Sequence, residues 1–157
     1  MSDQGHIFQI NISSGGVPKT AIKQGEVTAL GLIGDVQRDK RYHGGPTRAL
    51  CLYPLELILQ LQSEGHPIYP GSTGENITTV GLEFSDLRVG DRLRLGEVLI
   101  EVTDYAAPCA TIKGSFKDGR YSRISVKTHP GESRLYARIL QIGSLAIGDR
   151  ISVVREG

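Results

Sequence analysis

Tryptophan is absent from the 157 residues, phenylalanine occurs three times and methionine once. Binding of single-stranded nucleic acid relies on aromatic platforms for base stacking, so this composition argues against a protein that coats nucleic acid. A net charge of only +1 argues the same way. Two cysteines, Cys51 and Cys109, are too few for a disulfide framework, and no apolar N-terminal stretch resembles a signal peptide. The expectation is a protein of the reducing cytoplasm. No run approaches the roughly 18 apolar residues that a membrane helix requires, so no membrane association is expected. Hydrolase and nucleotide signatures are missing too: there is no Gly-x-Ser-x-Gly elbow, no His-Glu-x-x-His, no Cys-x-x-Cys and no Gly-x-x-x-x-Gly-Lys loop.

What is present is alternation. Phe8 to Ile12, Arg92 to Leu95 and Val98 to Thr103 alternate apolar and polar residues with period two, the mark of half-buried strands. Gly96-Glu97 sits between the last two and predicts a tight hairpin over Leu93 to Val102. The nonapeptide Leu87-Arg88-Val89-Gly90-Asp91-Arg92-Leu93-Arg94-Leu95 has a counterpart in Leu145-Ala146-Ile147-Gly148-Asp149-Arg150-Ile151-Ser152-Val153. Both are a Gly-Asp turn entering a strand, which suits two corners of a closed barrel better than a repeat array.

Helix is sparse. The clearest candidate follows Tyr53, with Pro54 at the first helical position, Leu55 to Glu64 as the body and Gly65 as the stop. A second is expected near Gly131 to Ser133, because Leu135, Ile139 and Ile142 have helix-like spacing. The fold class is therefore mainly β, a closed or partly open barrel with a few short helices, in a single domain over residues 1–157 with its core at about 7–153. A chain of this length buries roughly 68–70% of its unfolded surface and needs no staples. Twenty glycines and seven prolines place function on loops held by a rigid barrel.

Charge is divided along the chain. Ala49 to Ile112 carries three basic residues against nine acidic ones, whereas Lys113 to Arg138 carries seven against two, a net of +5. The second segment is either a solvated basic face or a site for phosphate or another small anion.

Cys109, in Tyr105-Ala106-Ala107-Pro108-Cys109-Ala110, is a lone thiol directly after a proline at the end of a strand. A thiolate is a soft metal ligand and a carrier of transferred sulfur; the competing reading is an inert buried thiol. The loop Gly34 to Arg48 holds the densest set of reactive types, with His43 beside Gly44 and Gly45, whose backbone can approach an anion closely. His43 can act as acid or base, donate to a phosphate or ligate a metal, or simply cap a turn. Gly74-Glu75-Asn76 places a carboxylate and an amide just before a β run. Zinc bound by Cys109, His43 and His129 is chemically possible but lacks the paired spacing of structural zinc sites.

Taken in order, Gly34-Asp35, Asp39, His43-Gly44-Gly45, Gly74-Glu75-Asn76, Val89-Gly90-Asp91, Pro108-Cys109, Tyr136-Ala137-Arg138 and Gly148-Asp149 resemble the MOSC family, named for the C-terminal domain of molybdenum cofactor sulfurase. The resemblance runs from about Ile7 to Val153 and identifies the chain as a stand-alone member. It implies a β-barrel in which Cys109 corresponds to the cysteine that ligates molybdenum in relatives such as the mitochondrial amidoxime reducing component. By that analogy Cys109 holds the metal of a pyranopterin molybdenum cofactor and N-hydroxylated small molecules are reduced; His43, in a family-like motif to which the resemblance assigns no role, is expected beside Cys109 as a catalytic residue. A separate electron-donor protein is implied, since nothing in the chain resembles a flavin or nicotinamide site. The cofactor's surroundings would be drawn from Lys19, Arg38, Arg41, His43, Gly44, Gly45, Arg48, Glu75, Asn76, Arg120 and Arg134, the cations on grounds of charge alone.

No pyridoxal phosphate is expected in these 157 residues, which have no room for the desulfurase half of the sulfurases, and the N-terminal strand domain of the longer reductases is not expected in them either. Two further readings compete. One is a carrier that bears a persulfide on Cys109 or delivers cofactor; the other is a non-catalytic barrel that binds an anion through the basic segment.

Overall fold

The computed structural model describes residues 4–36 and 45–155. The chain opens with β1 (Gln4–Ile12), β2 (Thr20–Ile22), β3 (Gln24–Thr28) and β4 (Gly31–Leu32). It continues through β5 (Leu50–Pro54), the helix α1 (Leu55–Ser63) and β6 (Ile77–Val80). The hairpin strands β7 (Arg92–Leu95) and β8 (Val98–Ala106) follow, and β9 (Arg134–Gln141), β10 (Gly143–Ala146) and β11 (Arg150–Val154) complete the chain.

Seven strands close a barrel in the order β1, β6, β5, β9, β8, β7, β11, with β11 returning to β1 through the pair Gly5–Ile151. Strand β2 adds to the side of β1, and β10, β3 and β4 form a separate small sheet. Within the barrel β5 and β6 alone run parallel, the others antiparallel. A parallel neighbour requires a crossover, and α1 supplies it. The inward residues of each strand, among them Ile7, Ile10, Leu50, Leu52, Ile77, Leu93, Leu95, Ile100 and Ile151, are nearly devoid of exposed surface and make one core.

The predicted hairpin is present: Arg92 pairs with Glu101 and Leu95 with Val98 across Gly96-Glu97, with Gly96 at φ +57°. The two Gly-Asp segments are one device used twice. Asp91 N–H donates to Arg88 O at 3.0 Å while Asp91 Oδ2 accepts from Arg88 N–H at 2.9 Å. Asp149 does the same with Ala146, at 3.1 and 2.9 Å. Gly90 and Gly148 occupy φ +98° and +88°, the conformation that the third residue of a type II turn requires. Even the docking matches, since Gly90 and Asp91 bracket Val102 on β8 with two backbone hydrogen bonds, and Gly148 and Asp149 bracket Ile7 on β1 in the same way. Because β7 and β11 are antiparallel neighbours, with Arg92 opposite Val154 and Leu95 opposite Ile151, the two turns stand at opposite ends of the strand pair.

The helix after Tyr53 also forms, over Leu55–Ser63, and ends where Gly65 turns to φ +98°. Pro54 stands one place earlier than expected: it is the extended N-cap and simultaneously the last residue of β5. The helix expected after Gly131 to Ser133 is instead strand β9. Leu135, Ala137 and Ile139 alternate, and Leu135 and Ala137 enter the core. The strand is held between β8 and β5 by long-range ladders that helix-like spacing in one segment cannot reveal. Two bulges interrupt the β8–β9 ladder, between Leu99 and Ile100 and between Val102 and Asp104.

Candidate functional site around Cys109

The last rungs of the sheet place the site. Cys51 on β5 pairs with Tyr136 on β9, which faces Asp104 on β8, and one step along Arg134 pairs with Ala106. The rung between them, Leu52, Leu135 and Tyr105, belongs to the main core. Side chains alternate faces along a strand, so Cys51, Tyr136, Arg134 and Ala106 lie on the opposite, outer face. There Cys51, Ala106 and Tyr136 form a second small buried cluster. From Ala106 the chain leaves β8, and three residues on Cys109 stands half-buried and extended at the start of a 3-10 helix, Ala110–Ser115. Its sulfur is in hydrogen-bond contact with Thr111 Oγ1.

Arg134 ties this segment to the rest. The residue is 4% exposed, and its guanidinium donates through Nη1 to Thr73 O at 2.7 Å and through Nη2 to Ala107 O at 3.3 Å, two residues before Cys109. Its Nε–H is buried without a hydrogen-bond partner among the described residues. A buried donor left unmade costs about 1–3 kcal/mol, so this cation is poised for an acceptor. Arg48 lies over the Tyr136 ring, 5.1 Å from its centroid, and reaches Asp104 at 3.3 Å. Burial first, then neighbouring Cys51, holds the Tyr136 hydroxyl well above its ordinary pKa, with Arg134 and Arg48 opposing. Burial likewise pushes the Cys51 thiol up to about 11, against the pull of Arg134. Of the two thiols, Cys109 is therefore the one offered to a ligand.

Glu75 and Asn76 face inward. Glu75 has no exposed surface and accepts hydrogen bonds from Gly71 N–H at 2.9 Å, Thr73 Oγ1 at 2.8 Å and Thr78 Oγ1 at 3.2 Å. Burial raises its pKa, and the Gly71 N–H and Thr73 hydroxyl oppose the rise. Asn76 stands in for a missing piece of strand. Its Oδ1 accepts from Cys51 N–H at 3.0 Å, its N–H donates to Cys51 O at 2.8 Å, and its Nδ2 donates to Asp35 Oδ2 at 2.8 Å. Lys19, 6% exposed, is held by the same Asp35 oxygen at 2.6 Å. These three thus build the floor and the joints of the site, and their polar atoms are engaged within the protein.

Arg120 is exposed on the 3-10 turns beyond Cys109. Gly45 takes φ +80° with open space where a Cβ would stand. Arg38, Arg41, His43 and Gly44 lie outside the described residues. Among the described residues no group of three or more His, Cys, Asp and Glu side chains is placed to hold a metal ion; His43, one of the three possible zinc ligands, is outside them. Two clefts, of about 390 and 340 Å³, open beside Glu26 and Ser144 and beside Glu56 and Glu83, and neither reaches Cys109.

Sequence reading did not single out Tyr136, Asp104 and Cys51 as neighbours of Cys109. Tyr136 stood in a quoted motif, but its partnership with residues 51 and 104 is a matter of register, which no local pattern carries.

The chemistry of this set is specific enough to test against cofactor requirements. A half-exposed thiol is a soft donor suited to molybdenum, and a buried arginine with an unused N–H beside it suits an anionic group. The described residues fit a thiolate-held anionic cofactor in these two respects, while Lys19, Glu75 and Asn76 are buried and hydrogen-bonded within the protein.

Comparison with known proteins gives the family. The protein YiiM of Escherichia coli strain K12 is 40% identical over 94 residues, which are 57% of this chain and 42% of that protein. A protein of Gibberella moniliformis named "Reductase" is 30% identical over 132 residues, 81% of this chain and 23% of its own length. The chain thus spans less than half the length of these relatives. Among solved structures, YiiM from Geobacillus stearothermophilus superposes with a TM-score of 0.74 at 25% identity, covering 98% of this chain and 76% of that one. The family model for the MOSC domain matches residues 39–152, which include Cys109, Arg134 and Tyr136, and the chain belongs to that family.

Proposed function

We propose that this chain binds a pyranopterin molybdenum cofactor through the Cys109 thiolate and reduces N-hydroxylated compounds with electrons from a separate donor protein. The observation that carries the reading is the position of Cys109: half-exposed past the end of β8, two residues beyond the Ala107 carbonyl that the buried cation Arg134 holds. The MOSC family assignment and the relative named as a reductase support it. A bound molybdenum centre supplies two-electron oxygen-atom transfer. In the net reaction two electrons and two protons convert an N–OH group to N–H and water, the N–O bond breaking. Of the protein's own groups, Cys109 supplies the ligand, Arg134 fixes the segment before it, and Arg48, held by Asp104 and by the Tyr136 ring, places a second cation at the edge.

The test is molybdenum and oxidised-pterin content of wild-type and Cys109→Ala protein from a host with an intact cofactor pathway, followed by reduction of an amidoxime with chemically reduced viologen. Near-stoichiometric molybdenum that disappears in the variant, with turnover lost alongside, is the expected result. Molybdenum retained in Cys109→Ala overturns it. A wild type that binds neither metal nor pterin, but gains a sulfur adduct of about 32 Da on Cys109 under sulfur-donor conditions, replaces it with the persulfide-carrier reading.

A further inference from the structure

The segment that follows Cys109 carries an exposed cationic surface. Of the seven basic residues between Lys113 and Arg138, three are engaged: Arg123 pairs with Glu64 and Glu132, Arg138 pairs with Glu101, and Arg134 is buried. The other four, Lys113, Lys117, Arg120 and Lys127, are exposed, and none has an ion pair among the described residues. Asp118 is the one carboxylate exposed among them. With Arg123 and Arg138 neutralised by carboxylates and Arg134 buried, the segment's exposed unpaired positive charge is left to these four residues.

That stretch is rigidly seated. Three consecutive 3-10 turns, Ala110–Ser115, Lys117–Gly119 and Tyr121–Ile124, are pinned by Ile112, Phe116 and Ile124 in the core. Phe116 packs edge-on against His66 at 5.4 Å between centroids, and Lys117 N–H donates to His66 Nδ1 at 3.0 Å. Arg123 Nε donates to Glu64 Oε1 at 2.9 Å and anchors the last turn to the end of α1. The first of these turns begins at Cys109 itself, whose carbonyl accepts from Ile112 N–H at 3.1 Å. A run of exposed cations therefore starts at Lys113, four residues after the thiol.

We propose that the face carrying Lys113, Lys117, Arg120 and Lys127 is the docking surface for an acidic electron-transfer protein. The proposal rests on the reductase reading above, whose two electrons must come from outside the chain. Charge complementarity selects the partner. Electron-transfer encounters are small and electrostatically steered, and lysines, which are depleted in tight interfaces, suit a transient contact. A nucleic acid would also be attracted by charge, but this face offers few aromatic groups for stacking and no contiguous stripe.

The experiment uses cofactor-loaded protein and, as probe, an acidic plant-type [2Fe–2S] ferredoxin reduced with dithionite, with ferredoxin reoxidation followed by stopped flow at several ionic strengths. Lys113→Glu/Lys117→Glu is compared with Lys23→Glu, an equally exposed lysine next to the small sheet. Expected are a fall of about ten-fold in the second-order rate at low salt for the double variant, a flattened salt dependence, and wild-type behaviour for Lys23→Glu. Carbodiimide cross-links to the ferredoxin should fall on Lys113, Lys117 or Lys127. Equal effects of the two variants, or cross-links elsewhere, overturn the docking face. So does binding of a duplex oligonucleotide that the double variant abolishes while ferredoxin reoxidation is unchanged. Amidoxime turnover with reduced viologen separates the two ideas: if it is intact, only the docking face has failed, and if the wild type lacks it, the reductase reading has failed first.

Discussion

Glu75 is a carboxyl with no exposed surface, supported by one N–H and two hydroxyls rather than by a directly paired cation. Burial raises its pKa from the ordinary 4.5. The folded state therefore holds this proton to higher pH than the unfolded chain does, and stability falls as pH rises from the unfolded value toward the folded one. Glu75→Gln keeps the shape and removes that penalty, so its stability relative to wild type should improve as pH rises through this window, in urea melts at several pH values. Glu75→Ala leaves the Gly71 N–H and the Thr73 hydroxyl without the partner they have here, removes the acceptor of the Thr78 hydroxyl, and should cost about 2–4 kcal/mol. The two thiols give a second contrast. Iodoacetamide should modify Cys109 in the native protein and spare Cys51, which is buried with its thiol pushed up to about 11. Peptide mapping reads this directly, and modification of Cys51 before unfolding would contradict the placement of Tyr136 over it.

Among elements, the paired turns and the end of α1 make separate claims. Asp91→Ala and Asp149→Ala each remove one side-chain cap from a matched corner, and each should lower stability by about 1 kcal/mol in denaturant titration. A much larger loss for one would mean that the two corners are not equivalent. Where α1 meets the 3-10 turns, the hydrogen bond from Arg123 lowers the Glu64 pKa from 4.5 to about 2. A depressed carboxylate stabilises above its unfolded value and loses that contribution as pH falls through the folded one. Arg123→Leu should therefore show a weaker decline of Tm between pH 4.5 and 2 than wild type; with Glu64 partly exposed the difference is small. The element that defied its local pattern, β9, did so because its strand form satisfies ladders on both sides and buries Leu135 and Ala137, gains larger than an intrinsic preference of a few tenths of a kcal/mol.

At the scale of the molecule, closure of the barrel depends on Gly5. It pairs with Ile151 at the seam, and a Cβ there would stand 2.4 Å from Val80 O and 2.8 Å from Leu82 N. Backbone cannot yield as a side-chain tip can, so Gly5→Ala should cost about 2–3 kcal/mol and speed amide exchange in β1 and β11 above other strands. The same closure leaves the chemistry outside. With the interior filled by side chains, the candidate site forms on the outer face where β5, β8 and β9 end, and the polar residues of the 70–76 loop serve as its supports.

The amino-acid sequence by itself determined the mainly β class, the hairpin at Gly96-Glu97, the twin Gly-Asp corners, the helix after Tyr53 and the prominence of Cys109, because each is a local pattern whose physics is complete within a few residues. Tertiary structure alone decided that the segment from Arg134 is a strand, that Glu75, Asn76 and Lys19 support the site from within, and that Tyr136 and Arg134 stand beside Cys109. Those outcomes depend on register and burial, which arise between residues 25, 27 and 61 positions apart, and farther still for the Cys51–Tyr136 pair, and leave no signature in any one stretch of chain.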